Sequence, residues 1–412
     1  MKNYPTNKLK ILNDPIYGFI RIPNSLIFDI IEHPSFQRLR RVSQMGFSNL
    51  VYPGANHTRF HHALGCLHLM QKTVNVLRVK GIDISEDEEN ALYIAILLHD
   101  IGHGAFSHAL EHSIVTGITH EEISLKYMHQ LNRQFDGQLD LAISVFNGEY
   151  HRKFLHQLIT SQLDIDRLDY LKRDSFYTGV AEGNISSDRL IAMINVVDNE
   201  LVIEKKGIYS VEKFLIARRL MYWQVYLHKT SLVAEILLVK TFERFQFLVD
   251  HKKEVLEDNH ILYPFLNSNL HGELSIDLLN HYLTLDDADV LQLLKSWRQN
   301  SDEVLRTLSD QLINRRLPKI KIQEKVFSKD EIEKKKKHLD SLFFEKNAEN
   351  DFVFSGTISN QTYTSDESQI IILDRNGNVF PISERIQYLD FKQFSTPVVK
   401  HYLCYPKPYS SV

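Results

Sequence analysis

Between residues 95 and 112 the sequence AILLHDIGHGAFSHALEH passes from a wholly apolar run into His99, Asp100, His103, His108, Glu111 and His112. The preceding NALYIAILL has no polar side when wound as a helix, so its end must be buried, and His99 and Asp100 with it. An ionised carboxylate in such a place is costly unless it is paired or bound to a metal. Two arrangements meet that demand: a His–Asp hydrogen bond that holds a loop, or a divalent ion held by the imidazole and the carboxylate together.

A metal needs further ligands from other segments. In TRFHHALGCLHLMQKTVNVL the residues Phe60, Ala63, Leu64, Leu67, Met70, Val74 and Leu77 recur at helical spacing. His62 shares its stripe with Cys66, Leu69 and Val76 and faces protein, whereas His61 lies with His68, Lys72 and Asn75 on a wet side. His62 is therefore the candidate ligand, and His61 and His68 read as surface histidines. In SQLDIDRLDYLKRDSFYTG a helix would stack Asp166, Tyr170 and Asp174 on one face, with Arg167 and Arg173 flanking. That face suits a metal beside a phosphorylated ligand; taken alone it equally describes an exposed, charge-laced helix. Jointly, neutral imidazoles and carboxylates around an open site suit a catalytic divalent ion, which activates water and polarises a phosphoryl oxygen. His103, His108 and His120 titrate near neutrality and could protonate a leaving oxygen or neutralise phosphate charge.

The elements that must position these groups are mostly helical. The 412 residues, 43% hydrophobic and 24% charged, describe an ordinary soluble globular chain with room for two or three domains. A net charge of -4 signals no general affinity for nucleic acid or anionic membrane, and names no partner. Two cysteines, Cys66 and Cys404, are too few for a disulfide framework or a cysteine zinc site, which suits a reducing compartment. MKNYPTNKLKILNDP lacks the apolar core of a signal peptide and no run reaches transmembrane length, so a cytoplasmic location is expected.

Apolar spacing predicts two short helices split at Pro34, then helices over 59–80, 87–100, 121–133 and 139–146. A hairpin is expected around Asp198-Asn199, followed by one long helix from Ser210 to Val249. From about residue 318 the texture changes. KIKIQEKV reads as a strand, Ser328 and Glu331 as a capping box before the EKKKKHLDSLFF helix, and IIILDRNGNVFPI as a hairpin turning at Asn376-Gly377. Lys334 to Lys337 read as a solvated helix face rather than a phosphate site. The expected organisation is a helical core over 1–245, a helical extension over 246–317 and a small α+β domain over 318–412.

The motifs RFHHALG, LLHDIGHGAFSH, THEE and DIDRLDYLKRD, in this order, resemble the HD-domain phosphohydrolases, and within them the deoxynucleoside triphosphate triphosphohydrolase branch. The likeness extends through LNDPIYGFIRI and FQRLRRVSQMGFSNLVYPGANHTRFHHALG upstream and RRLMYWQVYLHKT downstream, close over residues 9–230 and looser beyond. It implies a mainly α HD-domain helical bundle with a small β-hairpin and a C-terminal α+β lobe. It also implies that His62, His99, Asp100 and Asp166 hold one divalent transition metal per subunit, iron, manganese or zinc, with magnesium an option beside the nucleotide.

Residue by residue, the resemblance makes His108 the catalytic histidine with Glu111 as its acidic partner, and His103 and His120 histidines that line the phosphates. Arg59 and Arg167 would contact phosphate, Tyr170 and Asp174 the sugar, Gln44 and Met45 its other side, and Arg218 and Tyr226 the triphosphate and base. Lys10, Asn13, Glu32, Arg38 and Arg40 match positions that bind an activating nucleotide between subunits, which implies a homo-oligomer, a dimer or tetramer. Arg167, Met45, Leu227 and Glu32 stand where the vertebrate member has lysine, leucine, glutamine and aspartate. That member's N-terminal sterile alpha motif domain has no expected counterpart, since the HD region begins almost at residue 1.

The expected activity is metal-dependent hydrolysis of dNTPs to deoxynucleoside and inorganic triphosphate, by attack of water at the α-phosphorus. Hydrolysis of another nucleotide by the same superfamily is the second enzyme reading. Guanosine tetraphosphate hydrolases usually carry an acidic pair after their HD, where this chain has HDIGHG, and cyclic dinucleotide phosphodiesterases need an absent G-Y-P motif. A non-catalytic nucleotide or single-strand nucleic-acid sensor is the reading from another class, and a turnover assay with and without metal separates it.

Overall fold

The structure, a computed structural model, describes residues 10–110, 117–251, 260–266, 274–337, 339, 349–360, 369–384 and 396–407. Helices dominate. A hairpin of β1 (Ile11–Asp14) and β2 (Gly18–Arg21) leads into α1 (Ser25–Glu32) and α2 (Pro34–Gln37), which divide at Pro34 because proline is tolerated in a first helical turn. In the tight turn of β1–β2, Asp14 accepts hydrogen bonds from the amides of Ile16 (2.9 Å) and Tyr17 (3.0 Å).

The bundle is built on α3 (Arg59–Val79) and α4 (Glu86–Leu98). Ser85 and Glu88 cap α4 reciprocally (3.2 and 2.9 Å), and every side chain from Ala91 to Leu98 is buried, so this helix stands inside the core as its apolar run requires. Then come α5 (His120–Gln134), α6 (Asp140–Phe146) and α7 (Lys153–Ile159). Next is α8 (Ile165–Thr178), opened by Asp164, which accepts from the Arg167 amide at 2.8 Å, and closed by Gly179 in the left-handed region (φ 74°). α9 (Ser187–Met193) leads into the β3 (Ile194–Val197) and β4 (Glu200–Glu204) hairpin, turning at Asp198-Asn199 as expected.

One feature departs from the sequence-based expectation. The single helix over Ser210–Val249 is two, α10 (Ile208–Met221) and α11 (Lys229–Asp250), joined by a π turn at Tyr222–Tyr226. No glycine or proline marks the break. The Leu227 amide instead reaches back five residues to the Tyr222 carbonyl (2.8 Å), and the His228 ring caps α11 by accepting from the Thr230 amide at 3.2 Å. Such turns are frequent at functional sites.

The chain after 318 forms a small sheet of its own and also joins the core hairpin. β5 (Lys319–Gln323), β6 (Phe354–Asn360) and β9 form a sheet in the order β5–β9–β6, where β9 is Val398–Tyr405. The hairpin of β7 (Ile371–Leu373) and β8 (Val379–Pro381), turning at Asn376-Gly377, instead extends the core hairpin: β7 pairs in parallel with β4, Val202 opposite Ile371 and Ile203 opposite Ile372. Among the described residues no helix is long and apolar enough to cross a membrane.

Candidate metal centre and nucleotide pocket

Three segments bring His62, His99, Asp100 and Asp166 together. His62, fully buried on α3, places Nε2 3.0 Å from Asp166 Oδ1 on α8 and 3.6 Å from Asp100 Oδ2 at the end of α4. His99 Nε2 lies 3.5 Å from Asp100 Oδ1 and 3.5 Å from Asp166 Oδ1. The other ring nitrogens are already used. His62 Nδ1 meets Asp169 Oδ2 at 2.8 Å and His99 Nδ1 donates to the Ile96 carbonyl at 2.7 Å, which turns both Nε2 lone pairs toward the carboxylates. His99 Nε2 is buried and has no hydrogen-bond partner among the described residues, as an atom facing a cation would be. Two imidazoles and two carboxylates in this arrangement fit a divalent ion. Burial alone would raise the Asp166 pKa, but His62 and His99 hold it far below the usual carboxylate range, and Arg59, His99 and His103 do the same for Asp100.

A buried network braces His62 from behind. Asp169 also accepts from Arg173 Nε (2.9 Å) and Nη2 (3.1 Å), while Arg173 Nη1 donates to Asp14 Oδ2 at 2.7 Å, so the β1–β2 turn is wired to the metal site. Against its burial, Arg173 and His62 hold the Asp169 pKa at about 2. The network fits only because residue 65 has no side chain: a Cβ there would collide with Asp169 Oδ1 and Arg173 Nη2. Gly65→Ala is therefore expected to cost about 3–5 kcal/mol, since it breaks a buried ion pair, and to weaken metal affinity about 10- to 100-fold as His62 loses its brace. Urea midpoints and metal titrations check this; an alanine variant with native values for both would show that the pair can move aside.

The cluster opens into a cavity of about 490 Å³. Gln44, Met45, Arg59, Arg167, Tyr170, Asp174, Arg218 and Tyr226 all line it, with Asp100, Asp166, His103 and His120. The His103 and His120 rings stack at 3.8 Å, and His103 Nε2 is 3.3 Å from Asp100 Oδ1. Arg59, buried, pairs with Asp100 and donates from Nε to Ser107 Oγ at 2.9 Å. Asp174 accepts from His57 Nε2 (2.7 Å) and from the Tyr226 hydroxyl (2.7 Å), so its orientation is fixed. Gln44 Oε1 is buried without a hydrogen-bond partner among the described residues. The π turn sends Tyr222 and Tyr226 into the same wall, their rings edge to face at 5.2 Å. The side chain of His108 and all of Glu111 lie outside the described residues.

His61 is not part of the cluster; its Nδ1 accepts from the Thr58 amide at 3.2 Å and caps α3, and His68 stacks on Tyr17. Lys10, Asn13, Glu32 and Arg40 are exposed. Arg38 leaves that group: it is 1% exposed and spends its guanidinium on the carbonyls of Leu285, Ile101 and His103, so it is a structural arginine and not available to a nucleotide between subunits.

Sequence reasoning misses Ser48, Tyr222 and Glu235, which also line the cavity. Glu235 is a single acidic residue in the apolar run LVAEILLV of α11, the same sign that singles out His99 and Asp100. Burial pushes its carboxyl up to about 7, and no hydrogen bond or ion pair meets it among the described residues. Cys66, one turn after His62, joins the same donor cluster, its Sγ 3.6 Å from His62 Nδ1.

Comparison with known proteins places these segments in a family. The HD domain model matches residues 59–174, which hold all four proposed ligands, and the HD associated region model matches 185–263. An uncharacterized Bacillus subtilis protein, YwfO, is 33% identical over 331 residues, 76% of this chain and 73% of that one. A crystal structure of a phosphohydrolase from Bacteroides thetaiotaomicron is 46% identical with a TM-score of 0.92, covering 97% of this chain and 100% of that one. The deoxynucleoside triphosphate triphosphohydrolase SAMHD1 homolog of Dictyostelium discoideum is 32% identical over 259 residues, 58% of this chain but only 50% of its own length. Fold and site together define a metal-dependent phosphohydrolase. The chain belongs to the HD-domain family.

Proposed function

We propose that the protein hydrolyses deoxynucleoside triphosphates to deoxynucleoside and inorganic triphosphate. The observation that carries this reading is that a single cavity gathers two of the metal-site carboxylates, three guanidiniums, and the side chains of Tyr170 and Met45. The likeness to the Dictyostelium enzyme supports the same substrate class. When bound at His62, His99, Asp100 and Asp166, iron, manganese or zinc supplies Lewis-acid polarisation of a phosphoryl oxygen. The chain's own groups do the rest. Arg59, fixed by Asp100 and Ser107, sets a guanidinium beside the reacting phosphate; Arg167 and Arg218 neutralise the remainder of the triphosphate; His103 and His120 line it. His108 protonates the departing 5′ oxygen, with Glu111 as its partner. Exposed Lys10, Asn13, Glu32 and Arg40 hold an activating nucleotide between subunits of a homo-oligomer. The test is to incubate metal-loaded protein with each dNTP, singly and in mixtures, and identify the phosphate released. Triphosphate supports the reading; orthophosphate or pyrophosphate means a different phosphohydrolase, and no turnover with metal means a sensor.

The sugar contact gives a sharper expectation. Tyr170 follows Asp166 by one turn of α8, so a nucleotide whose phosphate meets the metal brings its sugar against this ring. A 2′-hydroxyl must push the ring aside or go unpaired, at about 1–3 kcal/mol, equivalent to about 5- to 150-fold. Met45 is pliable, which favours the lower end. dGTP is expected to be hydrolysed well ahead of GTP, and Tyr170→Ala to narrow the gap while slowing both; equal kcat/KM for the two nucleotides on the unaltered enzyme would remove the deoxy preference.

Glu235 sets a pH dependence. Protonated below about pH 7, it adds no charge to the pocket; above it, a carboxylate faces a polyanion. KM for dNTP is expected to climb as pH rises from 6 to 8 (about one unit either side of that pKa) and Glu235→Gln to flatten the climb. A variant whose KM rises as steeply as the unaltered enzyme's would clear Glu235 of this effect.

A further inference from the structure

Residues 282–287 lie beyond both family-model segments, yet they touch the active-site loops repeatedly. The Tyr282 hydroxyl stands 2.6 Å from where a Cβ on Gly104 would be. The Leu285 carbonyl accepts from Arg38 Nη1 at 2.7 Å, and Nη2 of the same arginine ties in Ile101 (3.0 Å) and His103 (2.6 Å). Asp286 pairs with Arg41. Asp287 does more than dock: Oδ2 accepts from the Ser43 amide at 2.9 Å and Oδ1 from the Phe106 amide at 2.7 Å. One carboxylate, 8% exposed, thus joins the loop that enters Gln44–Gly46 to the loop that enters the turn Ser107–Leu110.

The second loop needs such a hold. Phe106 and Ser107 are consecutive non-glycine residues in the left-handed region, at φ 54° and 53°. Backbone of this kind persists only where its surroundings over-determine it. Ser107 Oγ donates to the Ser43 carbonyl at 2.6 Å and accepts from Arg59 Nε at 2.9 Å, and Arg59 in turn pairs with Asp100. A continuous path of hydrogen bonds therefore runs from Asp287 through both loops to the guanidinium beside the metal ligands.

We propose that Asp287 is a positioning residue: by gripping the Ser43 and Phe106 amides it fixes Ser107, and through Ser107 the orientation of the Arg59 guanidinium. The inference rests on the phosphate role proposed for Arg59. It puts the geometry of the HD-domain site under the control of a helix, Asp287–Trp297, that the HD models do not include. Two amides on separate loops require an acceptor with two oxygens; an asparagine would turn an NH2 donor against one of them.

The experiment compares Asp287→Asn and Ser107→Ala with the unaltered protein, each loaded with manganese, for kcat and KM on dGTP, manganese content and melting temperature. Both variants are expected to lose about 10- to 100-fold in kcat while KM stays within about 3-fold and manganese stoichiometry is unchanged, as misplacement of a catalytic group predicts. Unaltered kcat in both overturns the proposal. So does an Asp287→Asn protein that loses manganese and melts early while its kcat per bound ion stays native, because that is a purely structural role. Should Asp287→Asn fail to fold, native kcat in Ser107→Ala overturns it and the expected loss supports it. Bis(p-nitrophenyl) phosphate assayed in parallel keeps this separate from the substrate: an unaltered enzyme that cleaves the diester but not dGTP sinks the dNTP reading, and the variants' kcat on the diester still decides Asp287.

Discussion

Asp100→Ala is expected to leave the protein without its ion and to lower turnover by about 10³-fold or more, the equivalent of the several kcal/mol that a Lewis acid contributes to a phosphoryl transition state. Asp100 faces every part of the centre: its oxygens lie within 3.6 Å of His62, His99 and His103 nitrogens, and it pairs with Arg59. Removing it takes away a ligand and also leaves the buried Arg59 guanidinium without its counter-charge. Because the ion binds only the native arrangement, the variant should no longer be stabilised by added metal. Elemental analysis, triphosphate release and melting with and without manganese check all three consequences. Stoichiometric metal at native activity would mean that the cluster is not the catalytic centre.

Arg59→Ala should separate charge stabilisation from metal binding. The ligand set remains, so the ion is expected to stay, whereas kcat should fall by about 10²- to 10³-fold, as when one preorganised donor is removed from a developing oxyanion. Arg59→Lys keeps the charge but loses the fork that meets Asp100 and Ser107 together, and recovery should be partial. Loss of metal in Arg59→Ala, or native kcat, would move Arg59 out of the role assigned here.

How far such residues can be found without coordinates depends on whether their signal is local. Helical stripes separate His62 from its neighbour His61, because burial of one face of α3 is a property of nearby residues. The same holds for the apolar run that drags His99 and Asp100 inside, and for the four-residue steps that put Asp166, Tyr170 and Asp174 on one wall. Glu235 carries an equally local sign in LVAEILLV and could be found by the same rule. Arg38 is different: that its guanidinium ends among three carbonyls, one of them Leu285, depends on a contact 247 positions away. Asp287 looks like an ordinary helix-start aspartate, and its grip on Ser43 and Phe106 is invisible until the extension is docked. The π turn between α10 and α11 has no composition mark, since apolar spacing continues through Tyr222–Tyr226.

The parallel pairing of β4 with β7 bears on the order in which the protein can be completed as it is made. Val202 and Ile203 leave the ribosome long before Ile371 and Ile372, so while the intervening residues are made the β4 edge has its hydrogen-bonding groups open. An open edge of that kind is a template for other chains. Non-local parallel pairing is also slow to form. Premature termination between β4 and β7 would thus release a product whose HD motifs are intact but whose β4 edge is unpaired.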